Sequence, residues 1–332
     1  MALLLLFLTR TYYILITLII ICFSLIENFR NVIKVYGKLE ETILIPNKTW
    51  ISLLSVPKYY FKYFYINGFL WITCIIIEII ILKNNFNGIF SIFIHLFEID
   101  IPQLFQQYNV IDYKFNEEIY KEYYGKQPIE ECILALFMIE VQVIRRAFEC
   151  FFVEKPSLNS KMLITHYIIG ITYYLATGLA VIIEGLWNLG VFNKDQFKIF
   201  PPFSNFIKWN ILSAILLFIY ASYHQNVLHR HLASLRSSIS ISASTSTSTT
   251  TSIYLIPKED WFKFISSAHY FAEILIYLSF IILTKGKNLT IWLVLIWTII
   301  GLGIMAKENE IWGKKRFDKK WPKRWIIIPF IY

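Results

Sequence analysis

Charge is scarce in this sequence. Only 17% of its 332 residues are Asp, Glu, Lys or Arg, against 56% hydrophobic and 18% aromatic. With a mean hydropathy of +0.53, a soluble domain of this size would leave too much apolar surface in water, so a purely water-soluble chain is excluded. The 12 glycines never form a Gly-rich turn between a strand and a helix, and no polar stretch is long enough for a Rossmann unit. Any dinucleotide must therefore be held by helices. Cys22, Cys74, Cys132 and Cys150 lack the paired spacing of a zinc site or a disulfide framework, which leaves them as small packing residues. His224, His229 and His231 form one isolated cluster, whereas a histidine-rich membrane desaturase or hydroxylase needs several, so no metal is expected. No basic domain stands clear of the apolar runs and no recognition motif is present, which argues against nucleic-acid binding.

What the sequence has in abundance is apolar runs. A bilayer core about 30 Å thick takes roughly 20 apolar residues per helix. The runs predict an all-α membrane bundle of seven transmembrane helices, near 11–27, 60–82, 130–153, 164–187, 207–223, 263–284 and 289–306. The run Phe86 to Phe97 is too short to span and is read as interfacial or re-entrant. The opening MALLLLFLTR is broken by Arg10 and followed by no small-residue cleavage site, so it reads as the lead into the first helix.

Charge sets the orientation. The tail from Lys307 to Tyr332 carries eight Lys/Arg against three acids, which places it on the cytosolic side and the N-terminus on the luminal side. The loop from Glu98 to Glu131, with eight acids and three lysines, then falls on the luminal side. The net charge of +9 concentrates on the cytosolic face, where the positive-inside bias accounts for most of it. The low-complexity run of residues 237–252 cannot bury a face and is read as a disordered, dispensable insert in a cytosolic loop. Glycosylation is not expected at Asn47, cytosolic in this topology, or at Asn288, which hugs the membrane.

An ionisable residue inside a spanning helix is costly unless it is paired or functional. The sixth predicted helix contains Ser266, Ser267, His269, Tyr270 and Glu273; His269 and Glu273 are four apart and share a face, so the carboxylate is placed to orient the imidazole. A satisfied polar contact between helices is the bland alternative. Gln225, His229 and Arg236 form one stripe of the fifth helix as it enters the cytosol, a set of donors suited to phosphates or equally to a solvated face. On these residues alone a reductase, a methyltransferase and a transporter all remain open.

The C-terminal third, from YLIPKEDWFKFISSAHYFAEILIYLSF to RFDKKWPKRWIIIPFIY, resembles the C-terminal domain of steroid 5-alpha-reductases. VYGK at 35–38, VPKYYFKYFY at 56–65, IRRAFECFF at 144–152, HYIIGITYYLATGLAVI at 166–182, YHQ at 223–225 and WFKFISSAHYFAEILIY at 261–277 resemble its polyprenol (polyprenal) reductase branch. The resemblance implies NADPH as cofactor and a long-chain polyprenyl lipid as substrate, reduced at its alpha-isoprene on the way to dolichol. It also implies an endoplasmic reticulum, multi-pass protein with no obligate protein partner. Residues 1–222 would form the first five helices with the substrate-side loops, and 223–332 the reductase domain. Carried over by position, Lys38, Arg146, Gln225, His229, Arg236, Tyr254, Asn309 and Arg324 become the cofactor contacts, with Glu273 beside the nicotinamide end and His269 at the substrate carbonyl. Leu255 and Gly313 depart from the family's usual arginine and tyrosine. Ser55 and Val143 stand where steroid-reducing members resemble one another in a Glu and a Tyr that polarise the steroid ketone, so a steroid is the disfavoured alternative substrate. Isoprenylcysteine carboxyl methyltransferases resemble the same scaffold and give a remoter alternative.

Overall fold

The computed structural model describes residues 2–25, 55–83, 127–154, 161–185, 208–245 and 254–332. Among these lie seven helices of sixteen residues or more: α1 (Ala2–Leu25), α2 (Lys62–Lys83), α3 (Ile129–Phe148), α4 (Ile164–Ile182), α5 (Trp209–Thr245), α6 (Ala268–Leu283) and α7 (Leu289–Phe317). Two short strands, β1 (Ser55–Pro57) and β2 (Lys161–Leu163), pair antiparallel with Val56 opposite Met162. By length and apolarity, α1, α2, α4, α5 and α7 each contain a stretch able to cross a membrane, which supports an all-α, multi-pass membrane protein. Helix α3 carries Glu130, Glu131, Glu140, Arg145 and Arg146 and does not meet that criterion. At 16 residues, α6 spans only about 24 Å at 1.5 Å per residue, less than a bilayer core.

Successive helices run in alternating directions, and the hydrogen bonds at the two ends show it. At one end, Arg10 of α1 bonds Glu184 just past α4 at 3.0 Å and Thr290 at the start of α7 at 3.2 Å, while the Thr290 N–H and hydroxyl both donate to Glu184. Asn210 at the start of α5 donates to the Leu283 carbonyl at the end of α6 and to Glu131 at the start of α3. At the other end, the β1–β2 pair ties the entries of α2 and α4 together, and Arg146 of α3 donates to the Tyr65 hydroxyl of α2. Arg10 therefore does not interrupt the first helix. It is neutralised across the bundle, and α1 starts well before the predicted residue 11.

Three other boundaries differ from the sequence reading. The sixth helix starts at Ala268 instead of 263, because the C-terminal tail holds the preceding residues extended. Ser266 and Ser267 donate their N–H groups to the carbonyls of Trp325 and Ile326, and Trp325 donates back to Phe264. Ser266 and Ser267 are thus outside the helix. Helix α5 continues to Thr245, into the run expected to be disordered from 237: once a helix is nucleated, adding a residue costs little. The same helix runs straight through the 222/223 division, so that boundary cuts one rigid rod. Lys38, Asn47 and the Phe86 to Phe97 run lie outside the described residues. Asn288 is fully buried as the N-cap of α7, accepting from the Ile291 N–H, which leaves no room for a glycan.

The core between the two ends is aromatic. Tyr173 stacks on Trp297 with ring centroids 4.6 Å apart and meets Tyr13 edge-on, and the Tyr13 hydroxyl pairs with Thr177 at 2.8 Å. Close approach of α2 to α4 depends on Gly170, where an added Cβ would sit 2.4 Å from the Phe64 ring. Gly170→Ala should lower stability by about 1–3 kcal/mol through overpacking, and Phe64→Leu should recover part of the loss. Thermal unfolding of the purified single and double variants checks this; an alanine variant as stable as the parent would contradict the packing.

Candidate functional site

The sequence places Arg145 and Arg146 one turn before Glu149, and α3 carries all three toward α5. The chain leaves the α-helix in a π turn over Glu149–Val153. Glu149 is completely buried, and its carboxylate is gripped by both guanidinium groups, by Asn226 at 2.6 Å and by the His229 Nδ1 at 2.7 Å. Arg146 also pairs with Glu154 at 3.0 Å and reaches Tyr65 at 3.2 Å. Burial alone would raise the Glu154 carboxyl, but the Arg146 guanidinium and the His229 ring outweigh it and hold the group below the usual carboxylate range. Glu149, Glu154 and His229 offer ligand atoms within 4.8 Å of one another. The Arg146 guanidinium pairs with both of these carboxylates, and its Nη1 lies 2.6 Å from His229 Nδ1.

From this knot the network runs inward. Arg145 donates to Gln142 at 2.8 Å and to Gln225, and Gln142 donates to Gln225 at 3.0 Å. Gln225 and Gln142 in turn donate to one oxygen of Glu273. Glu273 is therefore held by α3 and α5 and not by His269, which corrects the expectation that it orients the imidazole. The His269 Nδ1 is buried with no hydrogen-bond partner. Its ring sits between Tyr270 at 4.2 Å, His229 at 5.7 Å and Phe262 at 6.0 Å.

His269, Glu273, Gln225, His229, Arg146 and Arg236 all line one cavity of about 670 Å³. These polar groups gather where α3, α5 and α6 meet, and the same cavity is also walled by Phe64, Ile169, Trp297, Leu302 and Met305, so one space has both polar and apolar lining. That combination of apolar wall and a few convergent polar groups is the usual make-up of a small-molecule site. Six of the ten residues singled out from the sequence are thus brought together.

The remaining four are not. Tyr254 packs edge-on against Trp312, with the Arg316 guanidinium over its ring. Arg324 donates to the Pro257 carbonyl at 2.8 Å, a contact that fastens the tail to the 254–267 segment. Asn309 hydrogen-bonds the Tyr270 hydroxyl and so touches the cavity wall from behind. Lys38 lies outside the described residues. The sequence reading in turn passed over Gln142, Arg145, Glu149 and Glu154, although the three- and four-residue spacing from the arginines to Glu149 was a usable signal. It also passed over Lys58, which lines the cavity within electrostatic reach of Arg236 and Glu154.

A family model described as 3-oxo-5-alpha-steroid 4-dehydrogenase matches residues 160–332, more than half of the chain. The chain belongs to the steroid 5-alpha-reductase family. Its relatives include a protein named polyprenal reductase 1 from Oryza sativa subsp. indica, 26% identical over 225 residues, covering 62% of this chain and 60% of that protein. A polyprenal reductase from Ailuropoda melanoleuca is 27% identical over 282 residues, covering 84% and 79%. One from Xenopus tropicalis is 26% identical over 309 residues, covering 92% and 88%. The chain thus spans less than two thirds of the rice relative and most of the other two. Family and relatives alike indicate a membrane-embedded oxidoreductase.

In this member of the family, Ser55 opens β1 and Val143 is completely buried in the core, and neither lines the cavity. The polar end is organised by the Glu149 knot instead. Glu149→Gln should lower stability by about 3 kcal/mol, because it leaves the buried Arg146 and the half-buried Arg145 guanidinium groups without their shared counter-charge. Adding Arg145→Met should restore part of that. Thermal midpoints of the two variants in one detergent check it; a Gln variant at the parent's midpoint would show that the carboxylate is not what holds the knot.

Proposed function

We propose that this protein is an NADPH-dependent polyprenal reductase, saturating the alpha-isoprene double bond of a long polyprenal on the way to dolichol and so supporting protein N-glycosylation. The observation that carries the proposal is one cavity whose wall combines the polar groups of His269 and Glu273 with the apolar side chains of Phe64, Trp297 and Leu302. The names of the relatives support the substrate class. All seven helices would cross the endoplasmic reticulum membrane, α3 and α6 shielded by their neighbours, with the basic tail in the cytosol.

The donor set fits a dinucleotide phosphate in part. Arg236 and Lys58 line the polar end and supply positive charge there, and the buried, unpartnered His269 Nδ1 marks a position where a ligand's polar atom is accommodated. Arg146 is committed to Glu149 and Glu154, and the Glu149 carboxylate it pairs with is the one to which the His229 Nδ1–H donates, so its role is at the α3–α5 junction. Arg324 and Tyr254 serve the fastening of the tail. A bound reduced nicotinamide cofactor supplies a hydride. An isolated alkene or an allylic alcohol accepts hydride poorly, whereas an enal places the developing negative charge on its oxygen, which favours polyprenal over polyprenol as the immediate substrate. His269 would donate a hydrogen bond to that oxygen beside the aromatic wall, and the enolate that hydride addition at the beta carbon leaves would take a proton from water at its alpha carbon, giving the saturated aldehyde. Glu273, fixed by Gln225 and Gln142, would hold the polar groups around it in place.

The family model's steroid description favours one other reading, a 3-oxo-4-ene steroid substrate. Ser55 and Val143 argue against it. Purified protein should reduce polyprenal with NADPH and leave such a steroid untouched; the opposite preference would overturn the proposal. On polyprenal, His269→Ala should cut turnover by about 100-fold or more, or about 2.7 kcal/mol, while NADPH still quenches the tryptophan fluorescence. A packing histidine would lower thermal stability and leave turnover per NADPH-binding molecule near normal, and that result would remove His269 from the chemistry.

A further inference from the structure

Helix α7 presents Trp297, Gly301 and Met305 to the cavity at intervals of four, with Thr298 and Leu302 one position on. Residues spaced in this way share one face of a helix, so a side chain at 301 would project from the same face as Trp297 and Met305. Most of the other helical glycines are there for contact, Gly303 of α7, which does not line the cavity, excepted. A Cβ added at Gly170 would meet Phe64 at 2.4 Å, at Gly178 it would meet Ile75 at 3.0 Å, and at Gly313 it would meet Trp321 at 2.4 Å. At Gly301 it would meet no atom within 4 Å. Glycine inside a helix is less stable than alanine there. Since no neighbour requires its absence of a side chain, what Gly301 provides is open space beside the cavity. Ile20 of α1 and Leu302 and Met305 of α7 are apolar and line the same cavity as Gly301.

We propose that Gly301 is a specificity-determining residue that leaves a passage between α7 and α1 for the chain of a long, methyl-branched isoprenoid whose reactive head lies at His269. The inference rests on the reductase reading for the identity of the head group, but the passage itself is a matter of chain binding. A cavity of about 670 Å³ can enclose the head group and the first units of such a lipid but not a long chain, so the remainder has to leave through an apolar gap. Thr298 is hydrogen-bonded to the Val294 carbonyl, which leaves that side of the stripe without a competing polar demand.

The test uses full-length protein in nanodiscs with two measurements, binding of long-chain polyprenol and of geraniol read by tryptophan fluorescence, and turnover of long-chain polyprenal and of geranial with NADPH. Gly301→Leu should weaken binding of the long polyprenol and lower kcat/KM on the long polyprenal by about 10-fold or more, while geraniol and geranial change little. Gly301→Ala should unfold at an equal or higher temperature, because its Cβ meets nothing. Should the leucine variant fail to fold, Gly301→Val must show the same split between long and short chains. Loss of long and short ligands in parallel, unchanged long-chain binding, or a lowered midpoint for Gly301→Ala would each overturn the role of Gly301. Wild-type protein that binds the long polyprenol but reduces neither enal would overturn the reductase reading and leave the passage standing.

Discussion

A fully buried carboxylate, Glu149, sets the arrangement of everything at the polar end. Two arginines on consecutive positions of α3 point into the bundle, where each unpaired charge would cost several kcal/mol. Glu149 compensates both, and the π turn that begins at this residue is where α3 gives up its regular path. Asn226 and His229 of α5 close on the same carboxylate, which fixes α5 against α3. With Arg145 held, Gln142 and Gln225 have one consistent set of partners and pass the order on to Glu273. The polar part of the cavity around Glu273 is therefore positioned by a chain of charge-assisted hydrogen bonds that starts at Glu149, about two turns along α3 from Gln142.

The opposite end of the bundle uses the same physics for a different purpose. Arg10, Glu184 and Thr290 form a compact, satisfied cluster that joins α1, α4 and α7, and none of the three lines the cavity. It acts as a clamp. Between clamp and knot lies the aromatic layer of Tyr13, Tyr173, Tyr277 and Trp297, of which the last three line the cavity. An apolar body with ionic fastenings at both ends suits a protein that must hold a flexible lipid while keeping water away from one small polar group.

Much of this was legible in the sequence, because apolar runs of the right length report spanning helices directly. Helices α2, α4 and the start of α7 fall where their runs predict. The start of α6 does not, since backbone pairing of Ser266 and Ser267 with a tail some sixty residues away leaves no local trace. At the site, the His and Glu four residues apart that the sequence singles out both lie on the cavity wall. Their partnership was wrong, because which of several nearby donors takes Glu273 depends on how α3 and α5 meet in space. Arg146 was read as a cofactor contact when its charge is already spoken for by Glu149 and Glu154. Arg324 and Tyr254 were carried over by position, and only the packing reveals that they fasten the tail.

The central claim is that the site carries out conjugate reduction of an enal at its polar end. The most direct test is the fate of the transferred hydrogen. With NADPH deuterated at the nicotinamide C4 and polyprenal as substrate, the saturated aldehyde should carry one deuterium at the carbon beta to the carbonyl. Deuterium at the carbonyl carbon of an unsaturated alcohol, or a product without label, would contradict it.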